Sequence, residues 1–268
     1  MTWWQGIILG LVQGFTEFLP VSSSGHLALL QGIMGLDGGS LLLFDTLVHL
    51  GTLVAVVAVY WQELWQMLKK PWAPLPLLLI LATLPAVVAG FLFEDAVTAV
   101  LQGGIWLGVG FLVTAIALLA VEHFFPRFTE HTRRKGRELD QLTWKDALLI
   151  GLAQAVAIFP GISRSGATLS AGLTTKLSRQ AAAKFAFLMS VPVILGSVVL
   201  QVLKLDSLSG ILNAPVILGF LCAAVSGYLA IRWMLSLLQR SSLRMFAIYV
   251  SVLGVWIIVD SLVLHWVF

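Results

Sequence analysis

Long, uninterrupted apolar runs separated by short polar stretches dominate the chain. They fall near 41–60, 74–93, 104–121, 184–203, 214–231 and 245–266. At about 1.5 Å of rise per helical residue, each run is long enough to cross a hydrocarbon core of roughly 30 Å. The pattern predicts an all-α polytopic membrane protein with about six transmembrane helices. Composition agrees: 59% of the residues are hydrophobic and 11% are charged, and no water-soluble fold could cover that much apolar surface. The N-terminal MTWWQGIILG has neither a basic leader nor a small-residue cleavage site, so Met1 onward is expected to be kept. The single cysteine, Cys222, lies inside an apolar run; an internal disulfide is excluded and Cys222 reads as a small packing residue.

The formal charge of +3 is too small to imply nucleic-acid binding. The positions of the basic residues carry more information. Lys69 and Lys70 follow the first run, Arg127, Arg133, Arg134, Lys135 and Arg137 follow the third, and Arg232, Arg240 and Arg244 surround the join of the fifth and sixth. The excess of Lys and Arg makes these three regions cytoplasmic, and places the loop at Glu94 and Asp95 and the link 204–213 outside. Both termini are then predicted to be periplasmic. Two segments are left over: 1–36 starts and ends outside, and roughly 145–180 starts and ends inside. Each is expected to be a re-entrant helical hairpin, and the two should meet, because non-helical backbone at membrane depth has to be enclosed by protein or a water-filled cavity.

A shift of 141 residues superposes Thr2-Trp3 on Thr143-Trp144, Gly10-Leu11 on Gly151-Leu152, Gln13 on Gln154, Phe18 on Phe159, Ser22 on Ser163 and Ser24-Gly25 on Ser165-Gly166, without a gap. Farther along, Phe44 falls on Phe185. The chain is therefore expected to be a single membrane domain, 1–268, built from inverted-topology repeats of approximately 1–125 and 142–268 joined by a cytoplasmic loop, 126–141. The interface of such repeats is the usual place for a site.

The polar chemistry concentrates at that interface. The first segment reads Gln13-Gly14-Phe15-Thr16-Glu17-Phe18-Leu19-Pro20-Val21-Ser22-Ser23-Ser24-Gly25-His26, and the second Pro160-Gly161-Ile162-Ser163-Arg164-Ser165-Gly166-Ala167-Thr168. Both have a Pro or Gly, then small hydroxyl residues and a Gly opening a helix, a pattern that offers backbone N–H groups to an anion. Arg164 adds a planar fork of donors matched to phosphate oxygens, so the expected ligand is a phosphate, held by Ser22, Ser24, Gly25, Ser163, Arg164, Ser165, Gly166 and Thr168. A charged residue at membrane depth costs about 2.5–3.5 kcal/mol on insertion scales, which marks Glu17 and Arg164 as functional; a purely structural ion pair between them is the competing reading. His26, three residues after Ser23, is placed to share a helix face with that hydroxyl and is the candidate general base. Asp45 and His49, four apart on one helix face, are expected to support the site from behind, and Gln154 to satisfy loop backbone. Lys176 and Arg179 read as markers of the inner interface, and Asp260 and His265 as polar residues near the outer end of the last run.

QGFTEFLPVSSSGH together with PGISRSGAT closely resembles the two signature motifs of the undecaprenyl-diphosphate phosphatase family, the bacitracin-resistance type, and the resemblance extends over nearly the whole chain. The resemblance implies a bacterial inner-membrane enzyme that removes the terminal phosphate of a C55 polyprenyl diphosphate and so recycles the lipid carrier of cell-wall synthesis. It also implies a divalent cation, Mg²⁺ or Ca²⁺. The family's acidic residue falls on Glu17, its serines on Ser22 and Ser23, its histidine on His26 and its arginine on Arg164. Many members have a second glutamate where this chain has Gln13, so the expected metal ligands are Glu17 and the amide oxygen of Gln13. Glu17, Ser23, His26 and Arg164 are the expected catalytic set, with Ser23 as nucleophile and His26 as base; a water activated by His26 leaves the same groups in place. A polyprenyl-phosphate carrier without hydrolysis is the alternative, since inverted repeats with broken helices are above all a transporter architecture. The expected partners are the lipid substrate and membrane lipids, and a homo-oligomer is left open.

Overall fold

The computed structural model describes residues 1–36, 40–102, 104–125, 136–203, 213–240 and 242–268. Among them there is no strand, only helices. Two helices, α1 (Trp3–Phe18) and α2 (Ser23–Ile33), form a first hairpin; α3 (Ser40–Val59), α4 (Trp61–Lys69), α5 (Pro74–Leu92), α6 (Glu94–Gln102) and α7 (Gly104–Phe124) follow. After a single 3₁₀ turn at Leu139–Gln141, a second hairpin is formed by α8 (Trp144–Val156) and α9 (Arg164–Thr174). The chain ends with α10 (Arg179–Leu203), α11 (Ala214–Arg240), α12 (Arg244–Val259) and a π turn, Asp260–Leu264. Six helical stretches are long and apolar enough to cross a membrane: Leu41–Val59, Pro74–Leu92, Gly104–Phe124, Arg179–Gln201, Ala214–Leu238 and Arg244–Leu264. The protein is a multi-pass membrane protein. The fourth stretch begins earlier and the third and fifth run on further than their apolar runs, because polar residues such as Glu122 and Arg179 are paired there and do not end the helix.

The hairpins are built by local chemistry that repeats. The Thr2 amide donates to the Gln5 side chain at 2.7 Å, and the Thr143 amide to Asp146 at 2.9 Å, so each first helix starts on the same threonine cap. Leu19, just before Pro20, is extended and ends α1, as the ring of a following proline demands. Ser22 and Ser163 then cap the second helices, accepting from the amides of Gly25 and Gly166 at 3.4 and 3.0 Å. At 11 to 16 residues, these four helices are all shorter than a bilayer crossing requires.

Packing is exchanged between the halves. Helix α1 lies along α11 and α8 lies along α5, while α3 meets α10 and α7 meets α12. The α1–α11 seam is closed by backbone on backbone. A Cβ at Gly10 would sit 2.2 Å from the Gly219 carbonyl oxygen, and one at Gly14 would sit 1.9 Å from Ser226 Oγ. Gly151 of α8, which the repeat equates with Gly10, approaches Ala82 of α5 in the same way. Small residues of this kind are how helices associate where lipid leaves little hydrophobic driving force.

Several expectations need correction. The basic residues Arg127, Arg133, Arg134 and Lys135 and the link 204–212 lie outside the described residues, and the described end of the expected loop 126–141 is tied to the second half of the chain. Arg137 exchanges backbone hydrogen bonds with the segment 176–178 and pairs with Asp146 at 2.9 Å. Burial works to raise the Asp146 carboxyl; the Arg137 hydrogen bond and the Thr143 amide and hydroxyl outweigh it and hold it below the usual carboxylate range. Asp260 is fully buried rather than merely near an interface, and accepts from the amides of Trp266, Val267 and Phe268, folding the C-terminal residues back onto the helix. Arg179 reaches the buried Glu122 at 3.2 Å, and Glu122 also accepts from the Leu243 amide, tying α7, α10 and α12 at one end of the bundle.

The seam predicts a contrast. Gly10→Ala has to push backbone against backbone and should lower the unfolding midpoint of the detergent-solubilised protein strongly. Gly90→Ala meets nothing within 4 Å and should leave it nearly unchanged. Equal midpoints for the two variants would mean that the α1–α11 contact does not hold the fold.

Candidate active site

The turns of the two hairpins meet. Ser165 Oγ donates to the Leu19 carbonyl at 2.7 Å, a Cβ on Gly25 would lie 3.3 Å from the Gly161 Cα, and one on Gly166 would lie 3.3 Å from Pro20. Thr114 of α7 steadies the second turn, accepting from the Ser163 amide at 2.8 Å and donating to the Gly161 carbonyl at 3.2 Å. Gly161 itself has φ +86°, and a Cβ there would strike the Leu107 carbonyl, so the turn depends on glycine. Ser22 holds φ +68° without that excuse, and such strain persists only where the surroundings over-determine it.

Glu17 is the centre of the arrangement. Its side chain is 3% exposed, and it receives Arg164 Nη2 from the opposite half on Oε1. On Oε2 it accepts from Ser23 Oγ at 2.5 Å and from Gln13 Nε2 at 3.0 Å, and His49 Nε2 stands 3.6 Å away. A serine hydroxyl is thus held directly on a carboxylate, beside a guanidinium. Arg164 Nη1 and Gln13 Oε1 are buried and have no hydrogen-bond partner among the described residues. A buried donor and a buried acceptor left bare are costly, and point to something absent that would satisfy them.

His26 is not placed as its spacing suggests. Both ring nitrogens are engaged away from Ser23: Nδ1 with the Ser22 carbonyl at 2.7 Å and Nε2 with the Tyr249 hydroxyl at 2.6 Å. The carboxylate, six residues back across the turn, is the group that accepts the Ser23 hydrogen bond. Of the supporting residues, His49 faces Glu17 from α3, with its Nδ1 on the Asp45 carbonyl at 2.6 Å. Asp45 accepts from Gln31 of α2 at 2.7 Å, tying α3 to the first hairpin. Gln154 was expected to satisfy loop backbone; it is buried, and neither of its side-chain polar atoms has a partner among the described residues. The amides of Gly25 and Gly166 are taken by the Ser22 and Ser163 hydroxyls rather than left free for an anion, and Thr168 donates to the Arg164 carbonyl at 2.8 Å. Tyr249, Thr114 and Gln31 had no sequence signal: Tyr249 and Thr114 sit within apolar runs, and Gln31 is a lone amide on a short helix.

Among the described residues no group of three or more His, Cys, Asp or Glu side chains could hold a metal ion. The bare Gln13 Oε1 is one oxygen ligand of the hard kind that Mg²⁺ or Ca²⁺ takes, and Glu17, whose oxygens now accept from Arg164, Ser23 and Gln13, would supply a second; Mg²⁺ commonly completes its shell with substrate phosphates and water. The residues fit a cation held jointly with a substrate, and do not form a cage of their own.

The chain is similar to known proteins along almost its whole length. The family model described as Bacitracin resistance protein BacA matches residues 6–256. The chain is 45% identical over 264 residues to a protein of Carboxydothermus hydrogenoformans named undecaprenyl-diphosphatase, covering 97% of both chains. It is 45% identical over 263 residues to undecaprenyl-diphosphatase 4 of Bacillus thuringiensis, covering 96% of this chain and 97% of that one. A more distant relative, an undecaprenyl-diphosphatase of the archaeon Methanosphaera stadtmanae, is 35% identical over 283 residues, covering 97% of this chain and 98% of its own.

Proposed function

The chain belongs to the Bacitracin resistance protein BacA family, and on that premise we propose that it is a membrane-embedded phosphatase that hydrolyses undecaprenyl diphosphate to undecaprenyl phosphate and inorganic phosphate. The observation that carries the reading is the buried Arg164, with one terminal nitrogen on Glu17 and the other bare, next to a serine hydroxyl already bonded to that carboxylate. A carrier without hydrolysis needs anion-binding groups but no hydroxyl held on a carboxylate, so the Ser23–Glu17 pair favours the enzyme.

In the step this geometry supports, Ser23 Oγ attacks the terminal phosphorus while its proton passes to Glu17 Oε2. The bond from phosphorus to the bridging oxygen breaks, and the prenyl monophosphate leaves. Arg164 Nη1 and those first-turn amides of α2 and α9 that the serine caps do not take hold the non-bridging oxygens as charge develops on them. Water then hydrolyses the phosphoserine, with Glu17 available to return or take the proton. Attack on the terminal phosphorus by a water held on the Glu17 carboxylate uses the same groups without the covalent intermediate. Glu17 and Gln13 Oε1 would hold a divalent cation with the substrate's oxygens, and such an ion supplies charge neutralisation at the diphosphate.

The same reading places the protein in the bacterial inner membrane, recycling the lipid carrier of cell-wall synthesis and so conferring bacitracin resistance. The matched threonine and serine caps and the exchanged packing of α1 and α8 support inverted repeats, with both hairpins re-entrant and both termini periplasmic. In a Cys222→Ser background, cysteines replacing Thr2 and Leu36 should both label with an impermeant reagent from the periplasm, and one replacing Trp72 should not. Opposite labelling of positions 2 and 36 would turn the first hairpin into a crossing.

Purified protein given a polyprenyl diphosphate and Mg²⁺ should release phosphate. Ser23→Ala and Glu17→Gln should each lower kcat by about 10²–10⁴, the usual share of a proton-transfer or nucleophilic group. Arg164→Lys should lose most activity while keeping the charge, since a single ammonium cannot serve Glu17 and a phosphate in two directions. Near-parent turnover by Ser23→Ala would leave water as the nucleophile, and no phosphate release by the parent would end the phosphatase reading.

A further inference from the structure

His26 donates from Nδ1 to the Ser22 carbonyl, because a carbonyl oxygen can only accept. That fixes the neutral ring in one tautomer, with its single lone pair on Nε2. The lone pair is met at 2.6 Å by the hydroxyl of Tyr249, 223 residues away on α12, which therefore donates. The two rings also lie nearly parallel, 19° apart with centroids 5.6 Å apart, while Phe111 of α7 presents its edge to the imidazole at 5.4 Å. His26 is buried, whereas Tyr249 is 48% exposed. No other side-chain hydrogen bond reaches either ring nitrogen among the described residues.

We infer that Tyr249 is a positioning residue for phosphate release: its hydroxyl holds the His26 lone pair and so fixes the imidazole against the Ser22 turn. The strained Ser22 that anchors the other side of the ring is also the cap of the helix carrying Ser23. Tyr249, His26 and Ser22 therefore form one line from α12 to the nucleophile's turn. The inference rests on the phosphatase reading above and adds to it His26, which takes no part in the proton path through Glu17 but is joined to the Ser23 turn through Ser22.

The test is a kinetic cycle on purified protein with a polyprenyl diphosphate and Mg²⁺, using Tyr249→Phe, which keeps the stacked ring and removes only the hydroxyl. Tyr249→Phe should lower kcat roughly tenfold, the scale of one lost hydrogen bond, with KM within about twofold of the parent. The double variant Tyr249→Phe/His26→Ala should be no slower than His26→Ala alone, because two groups acting as a unit are not additive. In ¹⁵N spectra of histidine-labelled protein, the His26 Nε2 resonance should move in Tyr249→Phe, with the unfolding midpoint kept. An unchanged kcat in Tyr249→Phe, a drop that multiplies with that of His26→Ala, or an unmoved resonance overturns the inference while leaving the phosphatase reading intact, provided His26→Ala is slow. Parent-like turnover by His26→Ala overturns the inference together with the placing of His26 in the reaction site.

Discussion

A carboxylate and a guanidinium buried against each other across the two halves of the chain set the terms for everything near them. Either group alone would be prohibitive at that depth, and together they are tolerable only if their remaining hydrogen-bonding capacity is met. Glu17 meets its share with Ser23 and Gln13. Arg164 does not, and its bare Nη1 is the feature that turns an ion pair into a site for an anion. The pair also explains why two helix turns have to touch. Each hairpin brings a buried charge that the other neutralises.

The halves share a frame and divide the chemistry. The threonine caps, the serine caps and the glycine that lets the first helix of each hairpin press against backbone all recur at the same offset. The functional side chains do not: Glu17, His26 and His49 are matched by Ile158, Ala167 and Ser190 in the second half, and Ser23 by Arg164. One half carries the serine hydroxyl and the carboxylate, and the other carries the guanidinium that meets them. Such an arrangement needs a dry, closed seam where α1 lies on α11, since a shift of α1 moves Glu17 away from Arg164.

The six membrane helices were legible because an apolar run has only one use at that length. The two turns were legible because charges and hydroxyls are scarce in so apolar a chain. What spacing could not show is which partner each group takes. His26 and Ser23 lie on adjoining turns of one helix, yet the serine folds back to Glu17 across the Leu19–Pro20 bend, and the imidazole turns to a tyrosine from the far end of the chain. Helices α4 and α6 went unseen for another reason: both are short, and α4 is amphipathic, with Glu63 paired to Lys184 at 2.6 Å. Glu122 and Asp260 were passed over or misjudged because a buried acid reads as an interfacial one until its donors, three amides in the case of Asp260, are known.

If the Glu17–Arg164 contact is what holds the two turns together, the stability of the protein should depend on the pair and not on either residue separately. The direct measurement is a double-mutant cycle by reversible unfolding in detergent, with Glu17→Ala, Arg164→Ala and the double variant. Each single change should cost about 3–5 kcal/mol by stranding the other charge, and the double variant should cost clearly less than the sum, a coupling of about 1–3 kcal/mol. Additive costs would contradict the account, because the two residues would then be buried for separate reasons and the site would not be a joint product of the two halves.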